Sequence, residues 1–485
     1  MNFNKEIYLS GLEHQTRRNF LKAGAFGLGS IALNALVGCS QNKTSIASKG
    51  IGLPHYTPKA KRVIYLHMAG SPSQLELFDY KPELAKLDGL NCPQSLLEGK
   101  RFAFIQGVPK MLGPQFPYSQ HGTSGAWISD RLPLLGEVAD DLTFLKAVHT
   151  DQFNHAPAQL LVHTGVPRLG RPSMGAWVTY GLGSENQNLP SFVVLVSGGK
   201  TPDGGKSLWG SGFLPTVYQG VQCRTDDTPV LFLDNPEGMS RELRQSSIQA
   251  INQINQLKYN EVGDAEILTR IAQYEMAFKM QMEVPEVMDI STEPAHILSL
   301  YGAKPGESTF ANNCLLARKL AENGVRFIQL YHWGWDSHGA GEEEALDGGF
   351  QRQCYNADRP LAALIKDLKQ RGMLEDTLIV WGGEFGRTPM RENRDGKTMF
   401  WKGRDHHTEA FTMWMAGAGL QAGNSFGETD ELGYFGVKDR VHIHDIQATI
   451  LHLLGLDHTK LTYYFQGRDF RLTDSFGEPI HSILA

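Results

Sequence analysis

Thr377-Leu-Ile-Val-Trp381, running into Gly-Gly-Glu384-Phe-Gly-Arg387, is the stretch whose reading decides the fold. Its first half is short, apolar and β-branched, as suits a strand buried on both faces of a sheet. Its second half begins a glycine-spaced run to His407 that holds Glu384, Arg387, Arg404, Asp405, His406 and His407. Open α/β sheets carry their reactive groups just beyond the carboxyl ends of strands. Upstream, Val325-Arg-Phe-Ile-Gln-Leu330 reads as a second strand and ends in Tyr331-His-Trp-Gly-Trp-Asp-Ser-His338. Two strands thus deliver carboxylates and imidazoles to one rim, and those residue types point to a metal centre.

Working outward, Arg62 to His67, Leu142 to Val148, Ser191 to Val196 and Phe411 to Ala416 are further strand signals. Helical segments separate them, at Gly175–Gly183, Gly302–Glu322 and Asp358–Gly372. In the last of these, Leu361, Leu364, Ile365 and Leu368 share one face and Gly372 stops the helix. A closing amphipathic helix is expected from Asp445 to Leu454. Between about 201 and 300, Gly/Pro-rich loops give way to long helical periodicity (Ile248, Ile251, Ile254, Leu257) without a ligand cluster. The expected fold is therefore α/β, a doubly wound, mostly parallel sheet with helices on both faces and a helical insertion.

Net charge is −6 and charged residues make up 20% of the chain, which argues against a general nucleic-acid binder. The amino terminus is more specific. Thr16-Arg-Arg-Asn-Phe-Leu-Lys22 matches a twin-arginine export signal, and Leu36-Val-Gly-Cys39 resembles a lipobox. The expected organisation is a leader over 1–39 with lipidation at Cys39, a polar tether over 40–60 and one domain over 61–485. The expected location is periplasmic, held to the membrane by lipid. Cys92, Cys223, Cys314 and Cys354 are too widely spaced for a thiolate zinc site and read as buried free thiols.

Carboxylates and imidazoles with an open position hold divalent ions that activate water or bind oxyanions. Asp336 and His338, two apart, Glu384, His406 and His407 form the candidate ligand set. Zinc, calcium and manganese are the candidate ions. Arg387 and Arg404 suit bidentate contact with phosphate or sulfate, or pair with Glu384 or Asp405. His67, Glu76 and Asp79, around the turn-rich loop after the first strand, are further candidates for substrate or a second ion. Four side chains, Asp336, His338, Glu384 and His406, are expected to converge within a few ångströms.

The helix, Arg-Gly, strand and Gly383-Glu-Phe-Gly386 order resembles the segment ending in Ser-Asp-His-Gly in the alkaline phosphatase and sulfatase superfamily. There the Asp and His bind metal; here Glu384 and Phe385 stand at those positions. His155-Ala-Pro-Ala-Gln-Leu-Leu-Val-His-Thr-Gly165 resembles the sulfatase nucleophile stretch, with His155 in the nucleophile position and Gln159 in that of an arginine. Ala69 replaces the first-strand aspartate. More narrowly, the chain resembles a large bacterial family of unknown function, catalogued as fifteen-oh-one. Gly-Ser-Pro-Ser (70–73), Trp-Asp-Ser-His (335–338), Gly-Glu-Phe-Gly-Arg-Thr-Pro (383–389) and Gly-Arg-Asp-His (403–406) carry the likeness.

The resemblance implies a phosphatase/sulfatase-like fold and a metal-dependent hydrolase of phosphate or sulfate esters, acting on an anionic small-molecule or glycan ester. Arg387 would neutralise the oxyanion, and the attack would come from His155 or from water activated at the ion. The losses at Ala69, His155 and Phe385 favour the alternative, a lipid-anchored metal-containing binding protein without turnover.

Overall fold

The run Arg62–Ala69 forms β1, buried along nearly its whole length because it lies at the centre of the sheet. Its side chains alternate. Ile64, Leu66 and Met68 belong to one apolar cluster, and Val63 and Tyr65 to another on the opposite face. This computed structural model describes residues 54–224, 235, 238–394 and 396–485. The twin-arginine and lipobox segments and Cys39 lie outside the described residues.

The remaining strands of the main sheet are β2 (Leu142–His149), β3 (Phe192–Ser197), β4 (Val221–Cys223), β5 (Phe327–Trp333), β6 (Thr377–Gly382), β7 (Phe411–Ala416), β8 (Ser425–Phe426) and β9 (Val441–His442). They lie in the order β8-β2-β7-β6-β1-β5-β3-β4, with β9 also on β2. β1 pairs in parallel with both β5 and β6, and β7 is antiparallel to its two neighbours. The mostly parallel α/β sheet expected from sequence is what forms.

Leaving out helices of four or five residues, the helices described are α1 (His155–Thr164), α2 (Met174–Leu182), α3 (Arg241–Val262), α4 (Ala265–Met288), α5 (Ala295–Tyr301), α6 (Phe310–Glu322), α7 (Gly349–Gln370) and α8 (Ile443–Leu453). α6 and α7 pack on the face bearing Leu66; α1, α2 and α8 cover the face bearing Tyr65. Among the described residues, no helix is long and apolar enough to cross a membrane.

Three details depart from the sequence reading. The Gly302–Glu322 segment is helical only from Phe310, where the Thr309 hydroxyl accepts the Asn312 N–H and caps the helix. The 201–300 region contributes an edge strand, β4, as well as helices. Within it, α3 has no buried residue, and Ile254 and Leu257 are 64% and 71% exposed, so its apolar periodicity does not mark a buried face. The four described cysteines are buried and free.

Candidate metal centre

β1, β5 and β6 end side by side, at Ala69-Gly70-Ser71, Gly334-Trp335-Asp336 and Gly383-Glu384. Gly70 and Ser71 have φ of 99° and 58°, a left-handed backbone that is uncommon for serine. The neighbouring loops hold it there. The Ser71 hydroxyl accepts the backbone N–H of Glu384 (2.9 Å) and of Phe385 (3.0 Å). A Cβ on Gly70 would stand 2.6 Å from the Asp336 nitrogen, so only glycine lets these loops approach.

Above this platform, one ligand atom from each of His155, Asp336, His338 and His406 lies within 4.8 Å of the others. His155 begins α1, and His406 sits on a two-residue ladder against Arg387. All three imidazoles turn Nε2 toward Asp336, at 3.2 Å for His155, 2.9 Å for His338 and 3.4 Å for His406. Each is fixed through Nδ1: His155 to Glu384 Oε1 (2.7 Å), His338 to the Glu392 carboxylate and His406 to the Phe153 carbonyl (2.6 Å). An acceptor behind Nδ1 sets the tautomer and leaves Nε2 to face the ion in metal-binding histidines.

The protonation states make the case for a cation. A carbonyl only accepts, so His406 Nδ1 carries its proton. Burial, helped by Arg387 and the other imidazoles, outweighs Asp336 and pushes His406 down to about 4. Its Nε2 is then a lone pair facing the Asp336 oxygen that also meets Arg387 and His338, an arrangement that could take up a cation. For His155, burial alone would lower the pKa, but Asp336 and Glu384 outweigh it and raise the group to about 10. His338 is likewise raised, by Asp336 and Glu392 against burial. Burial would favour a neutral Asp336, yet Arg387 and the three imidazoles hold it well below the usual carboxylate range. Protons on His155 and His338 occupy the places a divalent ion would take, so the donor set of three nitrogens and one carboxylate fits such an ion.

Of the four side chains expected to converge, Asp336, His338 and His406 do so, and His155 replaces Glu384. Glu384 is wholly buried one layer behind, its Oε1 accepting from Gly70 N (3.1 Å), Gln159 (3.0 Å) and His155 (2.7 Å). Its Oε2 faces His67 at 3.2 Å, which places His67 behind the cluster too. Against the effect of burial, His155 and His67 keep Glu384 well below the carboxylate range.

Other candidates stand elsewhere. His407 turns the opposite way from His406, since successive strand residues alternate, and its Nε2 meets the Tyr434 carbonyl at 2.5 Å. Arg404 is buried and saturated, pairing with Glu76 (2.7 Å) and donating to the carbonyls of Leu112, Thr388 and Gly113. Glu76 also accepts the Gln115 N–H, so neither of this pair faces the cluster. Asp79 accepts from Thr429 and pairs with Lys81. Asp405 alone of these adjoins the cluster: it accepts the N–H groups of Phe104, Ile105 and His406, and one ligand atom from each of His338, Glu392 and Asp405 lies within 4.8 Å of the others.

Arg387 is 1% exposed and donates to Asp336 and to the carbonyls of Gly70, Ser71 and Arg404. Four of the five guanidinium N–H groups that any arginine offers are thereby engaged, which leaves little for an oxyanion. Half-buried Arg394 stands nearby: its Nε donates to Glu392 Oε1 (2.9 Å), and its guanidinium lies 4.6 Å above the Phe104 ring, its other N–H groups left for an anion. That ring meets His338 edge-on, with centroids 4.8 Å apart. Glu392, Ser71 and the Phe153 carbonyl went unmarked in the sequence as parts of one site; only the Gly70-Ser-Pro-Ser73 loop drew attention to one of them.

Fold and site together define an α/β protein with an imidazole–carboxylate cluster at the carboxyl ends of its central strands. The chain belongs to the DUF1501 family, described as proteins of unknown function, matching it over residues 60–484. A comparison with curated proteins returns no match. Among solved structures it is similar to the lipoteichoic acid synthase LtaP from Listeria monocytogenes (11% identity, TM-score 0.34, 85% of this chain and 76% of that one). It is similar also to the PsFucS1 sulfatase from Pseudoalteromonas sp. (12%, 0.35, 86% and 72%). A third is the alkaline phosphatase from the Antarctic bacterium TAB5 (11%, 0.31, 83% and 99%). The likeness to these proteins is one of fold.

Proposed function

We propose that the protein is an exported, lipid-anchored, metal-dependent hydrolase of phosphate or sulfate esters. The observation that supports this best is the convergence of three Nε2 atoms and the Asp336 carboxylate, each imidazole held from behind. A nitrogen-rich set suits zinc better than manganese or calcium, which prefer oxygen ligands. When bound, the ion would polarise the ester oxygens and acidify water. His155, His338, His406 and Asp336 would hold the ion, and Glu384 and Glu392 fix two of the rings. His155 is then a ligand rather than a nucleophile, because both its nitrogens are engaged. Arg394 and Phe104 at the mouth receive the anionic ester and its organic part, an anionic small molecule or glycan. Export and anchoring rest on the Thr16–Lys22 signal and Cys39.

A second reading, a metal-containing binding lipoprotein without turnover, draws support from the engagement of His155 and Arg387. Elemental analysis of the purified protein, with assays on aryl phosphates and aryl sulfates, separates the two. Under the first, wild type contains about one ion per chain and turns over one ester class, and His338→Ala loses both. Under the second, His338→Ala loses only the ion, because no turnover exists. Wild-type protein that takes up no zinc or manganese sinks both.

A further inference from the structure

β5 carries a second feature on the face covered by α6 and α7. Four residues before Asp336, His332 lines a cavity of about 940 Å³ bordered by the start of α6, the first half of α7 and the Pro133–Gly136 turn. Cavities of this size fall within the range of organic ligand sites. His332 is 4% exposed and stacks on Phe310, with centroids 4.6 Å apart. Its Nδ1 lies 3.1 Å from the Ser197 hydroxyl, which itself donates to the Tyr331 carbonyl, so Nδ1 carries the ring proton and Nε2 is an acceptor.

That Nε2 has no hydrogen-bond partner among the described residues, and neither have Gln353 Oε1 and Arg131 Nε, both buried and both on residues lining the same cavity. Gln353 stands close enough to favour a charged ring, against burial that pushes His332 down to about 4. The two nevertheless form no hydrogen bond of good geometry. Buried polar atoms are almost always paired, so several such atoms on one cavity wall mark a ligand that supplies the partners. The ligand must both donate, to His332 and Gln353, and accept, from Arg131.

Charge narrows its class. Arg131, Lys304 and Arg359 on the wall are balanced by Asp130, Glu307 and Asp358. The Asp358 carboxylate is already used, accepting the N–H groups of Leu134 and Leu135. A balanced wall of this kind favours neither an anion nor a metal ion. Tyr355, 82% exposed, presents an aromatic ring at the rim. Hydroxyl groups donate and accept at once, and pyranose rings offer an apolar face to an aromatic side chain.

We infer that this cavity binds uncharged carbohydrate, with sugar hydroxyls meeting His332, Gln353 and Arg131 and a ring face on Tyr355. The inference goes beyond the hydrolase proposal and does not depend on the metal centre.

Titration calorimetry on the full-length chain in EDTA tests it, with maltohexaose, cellohexaose, laminarihexaose, xylohexaose, mannohexaose and chitohexaose as probes. At least one binds with millimolar affinity or better, and His338→Ala leaves that affinity unchanged. Ser308→Trp, at an exposed position on the cavity wall, and Gln353→Leu each weaken it tenfold or more. Tyr355→Ala weakens it severalfold. Ser308→Trp alters only an exposed side chain, so the test stands even if Gln353→Leu fails to fold. The inference is overturned if none of the six binds, if Ser308→Trp or a folded Gln353→Leu binds as wild type does, or if binding requires the metal. It is overturned equally if a sulfated hexasaccharide is preferred over its neutral counterpart in EDTA.

Discussion

Arg404 and His406 stand two residues apart on one loop, both buried, yet they belong to clusters built on opposite terms. Around Arg404, donors face acceptors: the guanidinium meets Glu76 and three carbonyls, and Glu76 meets Arg404 and the Gln115 N–H. At His406 itself an acceptor faces an acceptor, a bare Nε2 3.4 Å from a carboxylate oxygen. The first cluster is complete as it stands, and the second leaves an imidazole acceptor where a cation could be held. Residue type does not separate them; the direction of each proton does.

Four experiments bear on that contrast, the largest expected effect first. Arg404→Met leaves Glu76 buried without its partner and should cost about 3–5 kcal/mol in urea unfolding. A cost under about 1 kcal/mol would mean that the pair is not the closed unit described. Asp336→Asn, in contrast, should keep the fold by circular dichroism while zinc affinity falls by more than about 100-fold, beyond what losing an outer-layer group causes. Glu392→Gln removes only the anchor behind His338 and should weaken zinc by about 10–100-fold. His407→Gln, facing Tyr434 rather than the cluster, should change zinc affinity by less than about twofold, on the order of experimental scatter.

Acidity sharpens the same contrast. His155 is raised to about 10, so at neutral pH an ion must displace its proton. Zinc affinity should therefore rise about tenfold for each pH unit between 6 and 8, more if His338 also releases a proton. Calorimetry in buffers of different ionisation enthalpy would count the protons released. A pH-independent affinity would show that the imidazoles are already free and that no exchange takes place.

The strands were legible because β1, β5 and β6 are apolar runs at the middle of a sheet, buried on both faces. Asp336 and His338 were legible as polar residues just past such a run, and His406 as one shortly before the strand Phe411–Ala416. His407 was misleading because sequence adjacency suggests a pair, whereas an extended ladder sends neighbours to opposite sides. Glu384 was rightly marked as part of the site but stands a layer too deep to join the four. Glu392 gave no signal, since its meaning comes only from His338, 54 residues away in sequence. Arg387 and Arg404 looked like anion binders, because nothing in a linear string tells an engaged guanidinium from a free one. The exposed face of α3 shows the reverse error, a helical period without burial.

The entry of the chain into the domain has a consequence for orientation. Tyr56, Lys59 and Ala60 are stitched by backbone hydrogen bonds to Gly455 and Leu453, just before β1 begins. The imidazoles gather past the opposite tip of β1, and eight residues of strand separate the two by roughly 25 Å. Any pull exerted through the segment upstream of residue 54 acts on the end of this strand remote from the cluster.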